Sequence, residues 1–196
     1  MQDLSIRIST RAADGAVQTI DIGRPLSAPI VELGSPIDVQ APAPDGNRFI
    51  RVNADGERMA DDATGDHVAV IDTTTGLMWS VESLGDPADE DDGITQEHCI
   101  ERCKRLRLLG FDDWRLPTRT ELAGLVDDTR HDPAIDTRFF PRVKPRWHWT
   151  STAAAWSSAG AWVVLFGYGH VYNLHRSHDG FALAVRRSGQ SSVSLT

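Results

Sequence analysis

The chain has 196 residues, 40% hydrophobic and 24% charged, with a net charge of −8, enough for one domain with a real core plus a small appendage. The acidic balance argues against binding phosphate backbones or anionic lipid through general basicity, and Cys99 and Cys103 are too few for a disulfide scaffold. No apolar run approaches the ~20 residues of a membrane span, and the opening MQDLSIRISTRAADG lacks the basic and apolar regions of a secretory signal, so we expect synthesis and folding in the cytoplasm.

In chain order, LSIRIST and AVQTIDIG alternate apolar and polar side chains around Asp14-Gly15, which predicts a β-hairpin. APIVELGSPIDV supplies a third extended stretch. Residues 1–40 thus read as a small β module for attachment or oligomerisation, marginal alone, and 41–46, rich in Pro and Ala, as a linker. From residue 47 short strands are expected, with turns at Asp55-Gly56, Thr64-Gly65 and Thr75-Gly76. The tract GDPADEDDG is an acidic loop. A helix is predicted from Thr95, with Cys99, Cys103, Leu106 and Leu109 on its buried stripe and Gly110 as its C-terminal cap.

Thr118 and Glu121 have the S/T-x-x-E spacing of a capping box, so a second helix should start at Thr118 and bury Leu122, Leu125 and Val126. DPAIDTRFFP reads as a loop that delivers Ile135, Phe139 and Phe140 to the core. Beyond it, WHWTST, AWVVLF, HVYNLHR and FALAVRR read as strands, with Gly-Tyr-Gly at 167–169 turning one into the next.

Between the two helices lies GFDDWRLPT, residues 110–118. Trp114 is large enough to fill a gap between helices and sheet if its N–H finds a partner. Arg115 can fork onto Asp112 or Asp113, and Pro117 holds Leu116 extended. The reading is a locked corner; a carboxylate dyad is disfavoured because adjacent aspartates point different ways and no nucleophile or metal partner lies nearby.

Several stretches together, DTTTGLMW, GFDDWRLPTRTELAGLVD, DPAID with FFP, WHWTST, AWVVLFGYGHV and FALAVRR, resemble the Lcl C-terminal domain family over roughly residues 47–188. The resemblance implies an α+β fold: a C-type-lectin-like domain at 47–190 with two helices and twisted antiparallel sheets, preceded by the small N-terminal β module. It also implies that Trp79, Asp113, Trp114, Arg115, Pro117 and Trp149 are framework. Relatives of this fold serve as phage tail receptor-binding tips, bacterial adhesins and variable proteins of diversity-generating retroelements, whose binding residues lie near the C-terminus.

The corresponding window here carries Trp156, Tyr168, His170, Tyr172, Asn173, His175, Arg176, His178 and Asp179. Aromatic anchors and adaptable hydrogen-bonding groups of this kind make a recognition surface; a solvated loop is the alternative. Their histidines lack a regular metal-ligand spacing, and the acidic tract at 86–92 does not fit an EF-hand. The Glu-Pro-Asn, Gln-Pro-Asp and Trp-Asn-Asp triplets of calcium-dependent lectins are absent. No cysteine follows Cys103, so the formylglycine-generating activity of related domains does not carry over. The expectation is a cofactor-free, non-enzymatic virion or phage tail component that recognises a host glycan or protein. It would join other virion proteins through residues 1–40, form a homo-oligomer (a trimer), and neither bind nucleic acid nor insert in membrane. The alternatives are an enzyme using His170, His175 and Asp179, or a purely structural virion decoration or baseplate protein.

Overall fold

A computed structural model describes residues 47–189 and the backbone of 7–11 and 17–21. The chain divides into two compact units, Met1–Gln40 and Ala41–Thr196. In the first, β1 (Arg7–Arg11) and β2 (Val17–Asp21) pair antiparallel, with Arg7 opposite Asp21 and Arg11 opposite Val17. The Asp14-Gly15 turn, the third extended stretch and the linker at 41–46 lie outside the described residues.

The described residues of the second unit form two antiparallel sheets and two α-helices, the α+β architecture expected. One sheet runs β3 (Phe49–Val52), β4 (Ala69–Asp72), β5 (Leu77–Ser80) and, last in the chain, β9 (Val185–Arg187), in that spatial order. The other runs β6 (Trp147–Ala154), β7 (Ser157–Leu165) and β8 (His170–His175). The helices are α1 (Gln96–Arg105) and α2 (Arg119–Ala123). Among the described residues no helix is long and apolar enough to cross a membrane.

Where β6 pairs with the apolar run AWVVLF of β7 the sheet is packed on both faces, whereas no residue of β8 is fully buried. Opposed residues of an antiparallel pair share a face, so Trp149 and Val163 lie on one side and His148 and Val164 on the other. The first side packs in one apolar cluster with Cys99 and Cys103 of α1. The second packs with Leu122 of α2 and with Leu125, Phe140 and Phe166. Gly169 in the β7–β8 turn has φ +75°, and a Cβ there would come 2.7 Å from Val126 Cγ1, so the turn seats on the α2 side only as glycine.

The residues from Gly180 to Arg187 tie the two sheets together. Phe181 exchanges backbone bonds with β6, through Trp149 N–H to its carbonyl and its own N–H to the Trp147 carbonyl, both 2.8 Å. Ala182 bridges Leu84, Val185 bridges Arg115, and β9 closes the edge of β5. Every residue from Phe181 to Arg186 is buried.

The predicted helix α1 is shorter than the sequence suggests. Thr95 caps it, but it ends at Arg105, and Leu106 is already extended. Leu106 and Leu109 therefore do not continue its stripe, and Gly110 does not cap it. Leu108–Gly110 form a separate 3₁₀ turn in which Leu109 and Gly110 both have positive φ, 56° and 75°. This reversal presents the Leu108 carbonyl to the buried Trp114 indole, whose N–H donates to it at 3.1 Å.

The capping box of α2 is formed as predicted. Glu121 N–H donates to Thr118 Oγ1, and Thr118 N–H donates to Glu121 Oε2 at 2.7 Å. The predicted Arg115 pairing needs correction. Arg115 forks onto Glu121, at 2.9 and 2.6 Å, not onto Asp112 or Asp113. That fork, with the Thr118 bonds behind it, holds the Glu121 carboxyl down to about 2. Asp113 instead accepts from Arg186, at 2.6 Å from Nε and 3.2 Å from Nη2. The cause is the two-way backbone bond between Arg115 and Val185, which docks the corner beside β9 and brings Asp113 within reach of Arg186. Pro117 contributes its carbonyl, which accepts from Ser151 N–H at 2.7 Å and so joins the corner to β6. Trp79 and Trp149 are buried, and the Trp149 indole N–H donates to the Ile94 carbonyl at 3.3 Å.

His148 is enclosed between the Phe166 and Phe181 rings. Its Nδ1–H donates to the Arg146 carbonyl (2.9 Å), which leaves Nε2 to accept from the Ser83 hydroxyl at 2.7 Å. The Ser83 oxygen in turn accepts from Lys144 N–H. Ser83 and His148 are a clasp between the segment after β5 and the start of β6. An imidazolium here would face phenyl rings with no carboxylate on Nδ1, and burial pushes His148 down to about 4.

Two stability tests follow from this arrangement. Removing Asp113 leaves the Arg186 guanidinium buried without that carboxylate, so Asp113→Ala should cost about 3 kcal/mol in urea unfolding, the low end for breaking a buried pair, because the carboxylate is 36% exposed. Asp112→Ala, at the exposed neighbour, should leave the melting temperature unchanged, and Trp114→Ala should cost about 3–5 kcal/mol. Second, His148 has a folded value below its unfolded one, so its contribution is fully present above pH 6.5 and is lost as pH falls from there through about 4. His67, also lowered by burial, acts in the same direction. Melting temperature should fall between pH 6.5 and 4, and the slope should be shallower in His148→Gln.

Candidate functional surface

The predicted C-terminal window is distributed over the edge strand β8, the two turns of its sheet and the segment from Arg176 to Asp179 that follows β8. Trp156, Tyr168 and Tyr172 are exposed large aromatics, at 66%, 70% and 57%. Each is displayed by regular structure: Trp156 by the β6–β7 turn, Tyr168 by the β7–β8 turn, Tyr172 by β8 itself. The window does not form one patch. Register and turn positions divide it into three.

The first patch is an aromatic shelf. Trp147 of β6 and His170 of β8 both stand opposite Leu165, so the two share a face of the sheet, the one toward α1. Tyr172 lies on that same face, opposite Val163, and its ring centroid is 6.3 Å from that of Trp147. Tyr168 reaches back over His170, with centroids 6.0 Å apart. Trp147 also walls a notch of about 360 Å³, together with Asp91, Asp92, Arg146 and Asp179. Asp179 thus joins the tyrosines through Trp147. The Lys144 ammonium, 2.6 Å from Asp91, holds that carboxyl below its ordinary range.

The second patch lies at the far end of β8. His175 and Arg176 line a cavity of about 490 Å³ with Ser177 and the first turn of α1. His175 Nδ1 is 2.7 Å from Ser177 Oγ, and the Arg176 carbonyl accepts from Gln96 N–H. His178 is exposed beyond them, with its N–H donating to the His175 carbonyl. Asn173, half-buried, faces the opposite side of the sheet from Tyr172, opposite Trp162.

The third patch is centred on Trp162. Trp156 meets its ring edge-on at 5.6 Å, and the Arg119 guanidinium lies 3.9 Å from its centroid. Small residues, Ala153, Ala155, Ser157 and Ser158, surround Trp156 in sequence and leave its indole standing clear.

His170 and His175 stand at opposite ends of a six-residue strand, about 17 Å apart. They cannot act on one atom, which corrects the alternative grouping of these two with Asp179. Among the described residues no three His, Cys, Asp or Glu are placed to hold a metal ion. A wider cavity of about 590 Å³, walled by Ser83, Asp86, Arg102, Arg142 and Lys144, includes no residue of the predicted window.

Trp147, Trp162 and Arg119 were not among the predicted binding residues. Period-two alternation puts Trp147 on the same face as Trp149, so it reads as framework; only the register with β7 and β8 shows that it emerges beside Tyr172. Arg119 was hidden by its role as the first residue of α2.

A model of the Lcl C-terminal domain family matches residues 68–186. A search of curated proteins returned no match. The matched span runs from the start of β4 into β9, and so takes in both helices, the three-stranded sheet and all three patches.

Proposed function

We propose that this chain, which belongs to the Lcl C-terminal domain family, is a non-enzymatic recognition protein whose aromatic shelf docks on a host surface glycan or protein. The observation that carries this reading is the exposure of Tyr168 and Tyr172 beside Trp147 at the β8 side of the sheet, where no residue is fully buried. Large aromatic rings held on rigid strands lose little conformational entropy on binding, and such residues dominate recognition energetics. The notch beyond Trp147 adds Asp179 and Arg146 as hydrogen-bonding groups of both charges. In the setting that the resemblance suggests, a phage tail or other virion component, residues 1–40 attach the protein to its assembly and the shelf faces the host. Several copies in one assembly multiply weak single-site binding by about 10²–10⁴.

The test is a printed array of bacterial surface glycans, with immobilised outer-membrane protein extract as a second surface. The full chain should bind at least one of them, and Tyr168→Ala/Tyr172→Ala should weaken that binding about tenfold or more, with melting temperature unchanged because both rings are exposed. Undiminished binding by the double variant would place recognition elsewhere, and an early-melting variant would make the tyrosines framework.

A further inference from the structure

The sheet that carries the shelf is free of formal charge. Trp147–His175 contains no Asp, Glu, Lys or Arg, in a chain that is 24% charged. The exposed large hydrophobics among the described residues are Trp156, Tyr168 and Tyr172, all rings with a polar atom, and no aliphatic side chain joins them. The Trp147 and Tyr172 rings are inclined at 39°, and the Tyr168 and His170 rings at 41°. The shelf therefore offers shallow aromatic faces edged by hydroxyl and ring N–H groups. Trp147 leads on into the notch of about 360 Å³, the size of a small-molecule site rather than of a protein epitope. Inside it Lys144 takes Asp91, and Asp86 accepts from Ala88 N–H. Among the described residues the side chains of Asp92, Asp179 and Arg146 make no hydrogen bond or ion pair, so two carboxylates and one guanidinium fork stand ready there.

These features select a ligand by charge. An anionic group meets no cation on the shelf, and in the notch the carboxylates outnumber Arg146, within a chain of net charge −8. A cationic group finds Lys144 already at Asp91, is repelled by Arg146, and meets no carboxylate along the shelf. A neutral polyol meets neither penalty, because each hydroxyl can donate to a carboxylate and accept from a guanidinium. A pyranose has in addition an apolar C–H face that packs on an aromatic ring, with its hydroxyls at the edge. We infer that the shelf and the notch together take an uncharged saccharide. One pyranose lies on the Trp147 and Tyr172 rings, and the next sugar along sets its hydroxyls on Asp179 and Arg146. This rests on the shelf reading given above and narrows its ligand from glycan or protein to a neutral glycan.

The full chain is tested on the printed array and on immobilised outer-membrane extract. Neutral oligosaccharides should be bound, and their sulfated, uronic or amino counterparts at least about tenfold more weakly. On the extract, periodate, which cleaves vicinal diols, should abolish binding, and proteinase digestion should leave it. Raising NaCl from about 0.05 to about 0.5 M should change it less than about twofold. Asp179→Ala and Arg146→Ala, both at exposed positions, should each weaken binding about tenfold with melting temperature unchanged. The two signs are diagnostic. An anionic ligand would bind Asp179→Ala more tightly, and a cationic one would bind Arg146→Ala more tightly. Either result overturns the inference, and so does loss of binding after proteinase. In those cases Tyr168→Ala/Tyr172→Ala still loses binding, so the recognition surface stands and only its ligand class falls. A full chain that binds neither surface sinks both.

Discussion

The domain depends most on the contact between Arg186 and Asp113. The guanidinium side chain of Arg186 has no exposure, pairs with Asp113 at 2.6 Å, and lies 3.6 Å from the Phe111 ring centroid. Burying a cation is costly unless it is paired and hydrogen-bonded, so the backbone on both sides must hold these groups in place. On one side is β9, anchored to β5; on the other is the corner between the helices, anchored by the Arg115–Val185 bridge and by the Trp114 indole. The Arg115–Val185 bonds thus set where the corner sits, the ion pair depends on that placement, and the corner sets where α2 starts. The α2 cap adds its own lock, since Glu121 serves Thr118 and Arg115 at once.

Much of this was legible in the sequence where the cause is local. The capping box is a three-residue spacing, and the structure forms it. Trp114 is buried with its N–H satisfied, as a large amphipathic ring between two helices should be. The turn at 167–169 and the alternation in β6 and β7 follow from glycine and from period two. What the sequence hid was set by distant partners. Asp112 and Asp113 are equivalent on paper; only the docking of β9, some seventy residues later, makes one a counter-ion and leaves the other in solvent. The early end of α1 at Arg105 has a similar source, because the Leu108–Gly110 turn that follows is tied to the Trp114 indole through the Leu108 carbonyl.

The candidate surface shows the same division. That Tyr168, His170, Tyr172, His175, Arg176 and His178 are too polar for a core could be read directly; all are exposed except Arg176, which is half-buried. Their grouping could not, because it depends on register. Tyr172 and Asn173 are neighbours in the chain but lie on opposite faces of the sheet, while Trp147 and His170, distant in sequence, share one. Since α1 and α2 pack against the β6–β7 part of the sheet, the side chains left in solvent form a rim made by β8 and the two turns. Variation in side chains on that rim leaves the packed interior untouched, which suits a frame whose contacts change while its shape does not.

The strap from Gly180 to Arg187 also governs how the domain is made. Among the described residues it is the last element in chain order, yet within the second unit it joins the β3–β5 sheet to the β6–β8 sheet and supplies the partner for Asp113. During translation the earlier strands leave the ribosome with their edges bare and an apolar channel between them unfilled. The two sheets of this unit are therefore joined through Gly180–Arg187, and a chain cut short before Gly180 would lack both the strand that closes β5 and the partner of Asp113.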